Sequence, residues 1–576
     1  MGLLNSALQI GRSALLSYQG ALQTVGSNIS SAGSPDYTRL APQLDPLQGS
    51  LVANDPSPGA GVALTDIQRY LDEGLEGRVR LAIGGQESAT ARQTALAQVE
   101  SFFDDSSGAG LSTQLGAFFS RFNDVQNTPE DPAIRELAVA GGASLAESLH
   151  SIRGQLGKLG EDLDGQIGDI VSHADDLAKE IAELNSEITT GEAGRRGQAT
   201  ALRDQRDAKL RELSQLFDVT VREEPDGSIN VYVGSEALVQ GGISRGLVAV
   251  TETDGGFERT SVRFADTNQQ VEIRGGRLQG LMTARDQNAY GQIEALDQLA
   301  AALIQDVNRI HADGQGLTGF RDVTGSFDAL ATDAALDSDA AGLADRPQSG
   351  SFFMTVSDDA THTSVAYRVD VSLDGQGGGT TLDSLVSDIN TQVTGVTASM
   401  TSDRRLKLTA TDGFSFTFGY DGQQARADTS HVLAALGINT FFSGTDARNI
   451  AVNETVQSDP SLLAAATVFL AGDGANAGKV AELETAPSDR LDGAPIPAFY
   501  DSIANSVATN AAAANSDVQA SGAVLSSLQS QKESVSGVNL DEEAIALLKY
   551  ERAFQGATRF VRTVDDLLTE LVSLLG

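Results

Sequence analysis

The residue types that most often carry chemistry in proteins do not form an active-site pattern in this sequence. The five histidines are scattered: His150, His173, His311, His362 and His431. None belongs to a His-x-x-x-His pair, the spacing that places two zinc ligands on one helix face. Cysteine is absent, which excludes disulfide scaffolds, thiolate metal sites and cysteine nucleophiles. These residue types therefore predict neither a zinc site nor a thiol active site.

Two segments resemble ligand-binding loops but lack the residues that bind the ligand. A phosphate-binding loop needs a Ser or Thr directly after its lysine, and none follows Lys479. A calcium-loop pattern begins at Asp337, yet Ala341 and Gln348 occupy two of its ligand positions. A Gly-x-Ser-x-Gly nucleophile elbow is also missing. The sequence therefore predicts no catalytic residue, no cofactor and no metal site.

Composition describes a long, acidic chain that can bury sizeable cores. It has 576 residues, of which 40% are hydrophobic, and this length predicts several domains. The formal net charge of −38 argues against binding to nucleic acid or to an anionic membrane surface, because both require clustered cations. We expect no transmembrane helix and no cleaved secretory signal, because no long apolar run and no basic leader are visible.

The strongest pattern lies at the two chain ends, both of which are predicted to be amphipathic helices. Apolar residues alternate at spacings of four and three residues, which is typical of helices that supercoil on one another. The N-terminal row contains Leu4, Leu8, Gly11, Leu15, Tyr18, Leu22, Val25 and Ile29. The C-terminal row contains Tyr550, Phe554, Ala557, Val561, Val564, Leu568, Leu571 and Leu575. We call these two rows the seam, and we expect them to pair.

The N-terminal helix also lacks the charged outer face of a solvated helix. Arg12 is the only charged residue before Asp36. Because exposed helix faces normally carry charges, a neutral face favours packing against neighbouring subunits. A core helix within one globular domain is the alternative.

Between the ends, the apolar period changes several times. The 3.6-residue period predicts helices over 64–103, 111–127, 132–190, 199–217, 282–311 and beyond about 458, with a proline-rich connector at 41–61. Alternating patterns predict a hairpin within 218–280 and strands within 345–420, interrupted by a short helix at 382–391. We predict an α+β multidomain fold, in which a terminal α-helical coiled-coil pair and a helical bundle base carry inserted β-rich domains.

These patterns divide the chain into four predicted parts, some of them discontinuous. They are a terminal coiled-coil assembly domain (1–40 with 535–576), a mainly helical rod domain (41–217 with 281–344 and 440–534), a β-hairpin subdomain (218–280) and an inserted β-rich outer domain (345–439). Nested insertion of this kind lets the two chain ends meet.

Short segments near both ends resemble the flagellar rod and hook axial protein family. Residues 28–37 (Asn-Ile-Ser-Ser-Ala-Gly-Ser-Pro-Asp-Tyr) are similar to the family's Asn-Ile-Ala-Asn-Ala-x-Thr-Pro-Gly-Tyr segment. Residues 538–543 (Val-Asn-Leu-Asp-Glu-Glu) are similar to its Val-Asn-Leu-x-Glu-Glu segment. The predicted assembly interface consists of the seam residues other than Gly11, and the resemblance adds five more: Asn28, Pro35, Tyr37, Asn539 and Leu540.

Three internal segments resemble the family members of the hook–filament junction in particular. They are 127–132 (Asn-Thr-Pro-Glu-Asp-Pro), 202–207 (Leu-Arg-Asp-Gln-Arg-Asp) with the hairpin that ends at 241, and 441–453, which begins Phe-Phe-Ser-Gly-Thr. The resemblance fades over 320–435.

The resemblance implies a structural protein of the extracellular bacterial flagellum, not an enzyme. It implies secretion by type III export with a dedicated chaperone at the C-terminal helix, and assembly as a homo-oligomeric ring. The implied neighbours are the hook protein and a second junction protein, with no nucleic acid and no membrane insertion. Two alternatives remain: a hook or distal rod axial protein, and a secreted hydrolase that uses carboxylates in a cleft.

Overall fold

The computed structural model describes residues 2–34, 37–47, 59–104, 108, 110–193, 199–373, 379–470 and 472–575. The α-helices of these residues are α1 (Gly2–Ser30), α2 (Glu73–Phe102), α3 (Leu111–Asn127), α4 (Pro132–Gly191), α5 (Thr200–Leu216), α6 (Gly276–Thr283), α7 (Gly291–Ala312), α8 (Leu382–Gln392), α9 (Val432–Ala435), α10 (Glu454–Ser458), α11 (Ala475–Glu482), α12 (Ile496–Ser536) and α13 (Leu540–Leu575). A π-helical segment, Ala284–Tyr290, joins α6 to α7.

The strands form small antiparallel sheets. They are β1 (Leu40–Leu47), β2 (Gly61–Arg69), β3 (Thr220–Glu223), β4 (Ile229–Val233), β5 (Glu236–Gln240), β6 (Ile243–Ser244), β7 (Leu247–Asp254), β8 (Phe257–Phe264), β9 (Asp322–Thr324), β10 (Gly350–Asp358), β11 (Thr363–Val371), β12 (Val396–Met400), β13 (Leu406–Ala410), β14 (Phe414–Phe418), β15 (Phe442–Ser443) and β16 (Ala451–Val452). Neighbouring strands pair in the orders β1-β2, β3-β4-β5-β6, β7-β8, β11-β10-β14, β12-β13-β9 and β15-β16. The mixture of long helices and small sheets confirms the predicted α+β class.

The chain folds into two compact units, each built from separate stretches of sequence. Unit 1 comprises 1–95, 162–284 and 512–576, and unit 2 comprises 96–161 and 285–511. Both chain ends therefore belong to unit 1. The chain passes between units inside α2, α4, α12 and the π-helical segment, and the predicted four-part division remains a prediction.

Most predicted elements are confirmed, but the region after α1 was predicted wrongly. Residues 41–61 were expected to be a connector and 64–103 a single helix, whereas β1 and β2 pair as a hairpin and α2 begins only at Glu73. The middle of the expected connector, 48–58, lies outside the described residues. Pro42 and Pro46 suggested a linker, but a two-stranded hairpin has free edges, where proline is tolerated. The hairpin positions the N-terminal segment, as described below.

Unit 1 gains much of its core from the second half of α4. The predicted apolar row on this helix is buried at Leu163, Ile167, Ile170, Ala174, Leu177, Ile181 and Ile188. Asn185 on the same helix donates hydrogen bonds to the backbone oxygens of Ile229 and Gly241. The helix therefore holds the β3–β4 hairpin, whose predicted turn at Asp226 and Gly227 is confirmed.

Unit 2 contains a β-rich core around two three-stranded sheets. Phe416 and Phe418 of β14 are in edge-to-face contact. Phe320, which precedes β9, packs beside both rings. The same core includes residues from 312–343 and 432–438, on either side of the strands. The predicted strands around Tyr367, Leu408 and Phe416 are confirmed as β11, β13 and β14.

A fully buried histidine anchors the end of α7 in unit 2. His311 Nδ1 lies 2.8 Å from the backbone oxygen of Asn439, and its Nε2 accepts the Ala464 amide at 2.9 Å. Burial lowers the pKa of His311 to about 4. Burial likewise raises the pKa of the nearby Asp313, to about 7. Both groups are therefore neutral between these two pH values.

The two groups predict opposite dependences of stability on pH. Between pH 6.5 and 4 the unfolded chain protonates His311 but the folded chain does not, so the free energy of unfolding falls as pH falls. Between about pH 4 and 7 the Asp313 carboxyl is protonated in the folded chain but ionised in the unfolded chain. The free energy of unfolding therefore falls as pH rises. We expect the destabilisation caused by His311→Gln to shrink by up to about 3 kcal/mol between pH 7 and 4.

Urea unfolding followed by circular dichroism measures this difference between variant and wild type at each pH. Asp313→Asn is the matched control, because its stability relative to wild type should rise with pH. Parallel pH profiles for wild type and His311→Gln would contradict the assignment of a neutral His311.

Candidate assembly site

Helices α1 and α13 pack against each other along most of their length. A Cβ added to Gly11 would meet the side chains of Val561 and Phe560, so the helices approach closely at this point. Near the other end of the contact, the Asn28 side chain reaches Glu543 at 3.0 Å. Early residues of α1 thus lie beside late residues of α13, and the pair is antiparallel.

The covered side of each helix is the predicted seam. Val25 and Val564 are buried, at 1% and 5% exposure. The remaining seam residues with described side chains are half-buried, apart from the buried Gly11: Leu4, Leu8, Leu15, Tyr18, Leu22, Ile29, Tyr550, Phe554, Ala557, Val561, Leu568 and Leu571. The structure therefore brings the seam together within one chain, and its part in contacts between copies remains a prediction.

The other predicted interface residues have different positions. Asn539 caps α13, because its side-chain oxygen accepts the Asp541 amide at 3.0 Å. Leu540 is 55% exposed at the start of that helix. Pro35 and the side chain of Leu575 lie outside the described residues.

The second face of α1 packs on the β1–β2 hairpin. The Ser17 hydroxyl donates to the Val62 oxygen at 2.9 Å and accepts the Leu64 amide at 3.1 Å. Gly61 adopts φ = 111°, and a Cβ there would meet Ser13 and Ile10 of α1. Glycine is therefore required at this position for the strand to approach the helix. Helix α1 therefore lies between the hairpin and α13 and contacts both.

A buried polar cluster joins the end of α1 to the start of α13. We call Asn28, Tyr37, Arg39 and Glu543 the terminal latch. Asn28 is fully buried, and its amide donates to the Leu40 oxygen at 2.8 Å and to Glu543. Its Oδ1 accepts the Leu40 amide at 3.0 Å and the Tyr37 hydroxyl at 2.8 Å. All four hydrogen-bonding positions of this side chain are thus used.

Glu543 brings a negative charge into the latch, and Arg39 balances it. The Glu543 side chain is 3% exposed, and its Oε1 accepts from Arg39 Nε at 2.8 Å. Arg39 also pairs with Glu542 at 3.0 Å. Burial opposes the charge of Arg39, but the two glutamates outweigh it and raise the Arg39 pKa. Burial raises the pKa of Tyr37 as well, so its hydroxyl stays a hydrogen-bond donor.

Ion pairs with α5 support the latch from the hairpin side. Arg69, which pairs with Leu40 in the β1–β2 ladder, donates to Asp204 at 2.7 Å and to Asp207 at 2.5 Å. Both carboxylates belong to the 202–207 segment recognised in the sequence. This segment therefore binds β2, which pairs with β1, the strand whose backbone Asn28 binds.

Sequence reasoning missed Arg39, Glu543 and Arg69 as site residues. Two signals point towards the first two: Arg39 is the first cation after Arg12, and Glu543 follows the capping Asn539 at the start of a helix. The sequence contains no signal for the contacts themselves, because the partners are distant along the chain.

The outward side of α13 is unusually apolar for an exposed helix. Its exposed large apolar residues are Leu540, Ile545, Leu548, Phe560, Leu567 and Val572. At about 1.5–3 kcal/mol each, their burial against other protein provides on the order of 10 kcal/mol for association. The site is therefore suited to binding protein.

Neither a metal-binding group nor a membrane-spanning helix is found among the described residues. In these ranges no group of three or more His, Asp or Glu side chains is placed to hold a metal ion. The described helices also include none that is long and apolar enough to span a membrane.

Three family models match separate stretches of the chain. The model of the flagellar hook-associated protein FlgK helical domain matches residues 96–326. The flagellin hook IN motif matches 358–412, and the C-terminal model of the flagellar basal body rod FlgEFG proteins matches 529–574. The last match covers most of α13.

Three relatives of one name are similar to this chain, two of them over its full length. Flagellar hook-associated protein 1 of Escherichia coli (strain K12) is 26% identical over 583 residues, which cover 99% of this chain and 100% of the relative. The protein of the same name from Salmonella typhimurium is 26% identical over 585 residues, with the same coverage. The one from Bacillus subtilis (strain 168) is 25% identical over 364 residues, which cover 55% of this chain and 70% of the relative.

A solved structure shares the fold. The flagellar hook junction protein FlgK from Burkholderia pseudomallei aligns with a TM-score of 0.53 at 16% identity, covering 80% of this chain and 100% of that one.

Removal of the latch cation should loosen the terminal pair. Arg39→Met leaves the buried Glu543 carboxylate without its ionic partner, which we expect to cost about 2–4 kcal/mol. Hydrogen exchange should then be at least about tenfold faster at the start of α13. Arg12→Met is the control, because Arg12 is exposed and forms no ion pair with the described residues. Unchanged exchange in Arg39→Met would contradict the role of the latch.

Two glycines of α1 should respond oppositely to the same substitution. Gly26→Ala meets nothing within 4 Å, so helix propensity should stabilise the pair by about 0.5–1 kcal/mol. Gly11→Ala meets Val561 and should destabilise it by about 1–3 kcal/mol. Thermal unfolding and exchange of α1 measure both effects, and stabilisation by Gly11→Ala would show that the helices are not in close contact.

Proposed function

Because this chain belongs to the flagellar hook-associated protein 1 family, we propose that it is a structural subunit of the bacterial flagellum that forms the junction between hook and filament. Its terminal helices join it to neighbouring subunits, and it performs no catalysis. The observation that carries this proposal is the paired α1 and α13, with large apolar residues still exposed on α13.

The exposed apolar side chains support assembly because a stable monomer normally buries such residues. The seam covers one side of α13, and the apolar residues on its other sides remain in solvent. Exposed apolar patches of this kind are typical of protein–protein contact surfaces. The pair is thus a preformed element whose remaining surface is available to other subunits.

The partners proposed for the chain follow from this position. In the assembled flagellum it forms a homo-oligomeric ring, with the hook protein on one side and a second junction protein on the other. A dedicated chaperone binds the C-terminal helix before type III export, and the chain then functions outside the cell. The exposed apolar residues of α13 are the surface that such a chaperone would shield from water.

A hook or distal rod position is the second candidate, favoured by the rod-protein match at 529–574. The match to the hook-associated helical domain over 96–326 favours the junction instead. Labelled antibody on isolated hook–basal bodies separates the two positions. We expect one band at the distal end of the hook, and staining along the hook or rod would support the second candidate.

Deletion of residues 540–576 should abolish incorporation. The truncated chain lacks α13 and half of the seam, but it retains all of unit 2. In cells that lack this protein, electron microscopy should show hooks without filaments, rescued by the full chain and not by the truncated one. Circular dichroism of the truncated protein checks that unit 2 stays folded. Filament growth with the truncated chain would contradict the proposed function.

A further inference from the structure

Arg80 of α2 is a cation that has no partner among the described residues. Its Nε is buried and forms no hydrogen bond. The rest of the guanidinium likewise forms no hydrogen bond or ion pair within the described ranges. Burial lowers the pKa of Arg80, because it takes the charged group away from water. A guanidinium has five N–H donors, and a buried charge without a partner is costly. The surroundings of Arg80 therefore suit a ligand that brings a negative charge and hydrogen-bond acceptors.

The carboxylate that helix spacing assigns to Arg80 binds other cations. Glu76 precedes Arg80 by four residues on α2, the spacing at which a glutamate and a following basic residue pair on a helix. Instead, Glu76 Oε1 lies 2.8 Å from Lys532 Nζ of α12, and its Oε2 lies 4.0 Å from Arg211 Nη1 of α5. The Glu76 side chain is 6% exposed. Both of its oxygens therefore face cations of other helices.

Two further carboxylates lie near Arg80 but do not bind it. Asp207 of α5 attracts the Arg80 charge, yet it accepts from Arg69 at 2.5 Å. Glu73, in the first turn of α2, is exposed to solvent. The Arg211 guanidinium, which is also near, repels the Arg80 charge. In the described part of unit 1, these carboxylates are therefore bound to another cation or solvated.

The guanidinium of Arg80 can be reached from the side of Gly77. Its terminal nitrogens, unlike Nε, are not buried. A Cβ added to Gly77 would lie 3.9 Å from Arg80 Nη2. Because glycine has no side chain, this approach to the terminal nitrogen stays uncovered. Arg80 thus presents its two terminal nitrogens to a ligand while its stem and Nε are covered.

We propose that Arg80 is the centre of an oxyanion site that binds a carboxylate or phosphate group. Two ligand oxygens accept from the terminal nitrogens of Arg80, the geometry in which arginine binds such groups. Arg211 and Lys532 add positive potential, since both lie beside Glu76. The site involves neither α1 nor α13, so the inference goes beyond the proposed function.

The oxyanion has two available sources. One is a free ion in solution. The other is an exposed carboxylate of a second copy of this chain, whose net charge is −38. Both sources present the same chemistry to Arg80, and the last experiment below separates them.

Chemical modification of the purified full chain tests the site at the level of the residue. Phenylglyoxal reacts with accessible guanidinium groups, and mass spectrometry of peptides gives the rate at Arg80. Inorganic phosphate is the probe, compared with sodium chloride at equal ionic strength. We expect phosphate to slow the modification of Arg80 saturably, by about tenfold at ten times its dissociation constant. Arg78, which is exposed on the same helix, is the internal control and should react equally fast in both salts.

Two results of this experiment would overturn the inference. Equal rates at Arg80 in phosphate and chloride would show that no oxyanion binds there. No reaction at Arg80 in chloride would show that its terminal nitrogens are covered by the protein.

An internal carboxylate should replace the ligand. Gly77→Glu places a carboxylate beside Arg80 Nη2, so Arg80 should be protected from phenylglyoxal without any added phosphate. Gly77→Gln is the matched control, because it has the same size and helix propensity but no charge, and it should keep the dependence on phosphate. The same rate in chloride for both variants would contradict an oxyanion site at this position.

Thermal unfolding tests the energetic side of the proposal. Arg80→Met keeps an apolar stem and removes the unpartnered charge, so in chloride its Tm should equal or exceed that of the wild type. Phosphate should raise the Tm of the wild type by about 2–4 °C more than that of Arg80→Met, which removes the general effect of the salt. Arg78→Met should behave like the wild type. Strong destabilisation by Arg80→Met in chloride would show that the guanidinium has a partner within the chain and would overturn the inference.

Assembly in cells separates the two sources. In cells that lack this protein, Arg80→Met would be expressed and isolated flagella probed for the chain. Loss of the stable variant from flagella supports a carboxylate of a second copy as the ligand, and normal incorporation supports a free oxyanion. Absence of the wild-type chain from flagella would instead contradict the proposed function. The measurements on the purified chain do not depend on that outcome.

Discussion

The buried side chain of Asn28 connects two parts of the chain that are 515 residues apart in sequence. Its four hydrogen bonds bind the strand at Leu40, Tyr37 and Glu543. Loss of any one partner leaves a buried polar group unsatisfied, which costs about 1–3 kcal/mol. The latch therefore forms as a whole, and it requires both chain ends to be in place. Helix pairing, the position of the hairpin and the start of α13 all depend on it.

This constraint explains how one chain can provide both a defined monomer fold and an assembly surface. The latch and the seam cover one side of α13 and determine its register on α1. They leave the other side of the helix exposed, with its apolar residues. The 202–207 segment contributes through Arg69, so the helical part of unit 1 supports the chain ends. Pairing within the chain thus leaves exposed the surface that we propose neighbouring subunits contact.

The repeating features could be predicted from the sequence, and the long-range ones could not. Alternating spacing along α1 and α13 identified the seam, because periodicity is a local property. The β1–β2 hairpin was mistaken for a linker because Pro42 and Pro46 suggest one, and proline is tolerated at a free edge. The ion pairs of Arg39 and Arg69 join residues that no local pattern relates.

The central claim is that the two ends of one chain pair, antiparallel and in one register. Pulsed electron paramagnetic resonance tests it most directly, with spin labels at Gln19→Cys and Glu551→Cys in a chain free of other cysteines. Both positions are exposed, and labelled chain diluted into unlabelled chain removes signals between copies. Because packed helices lie 8–10 Å apart, we expect a narrow distance distribution centred below about 30 Å. A broad distribution that extends well beyond this distance would contradict the account.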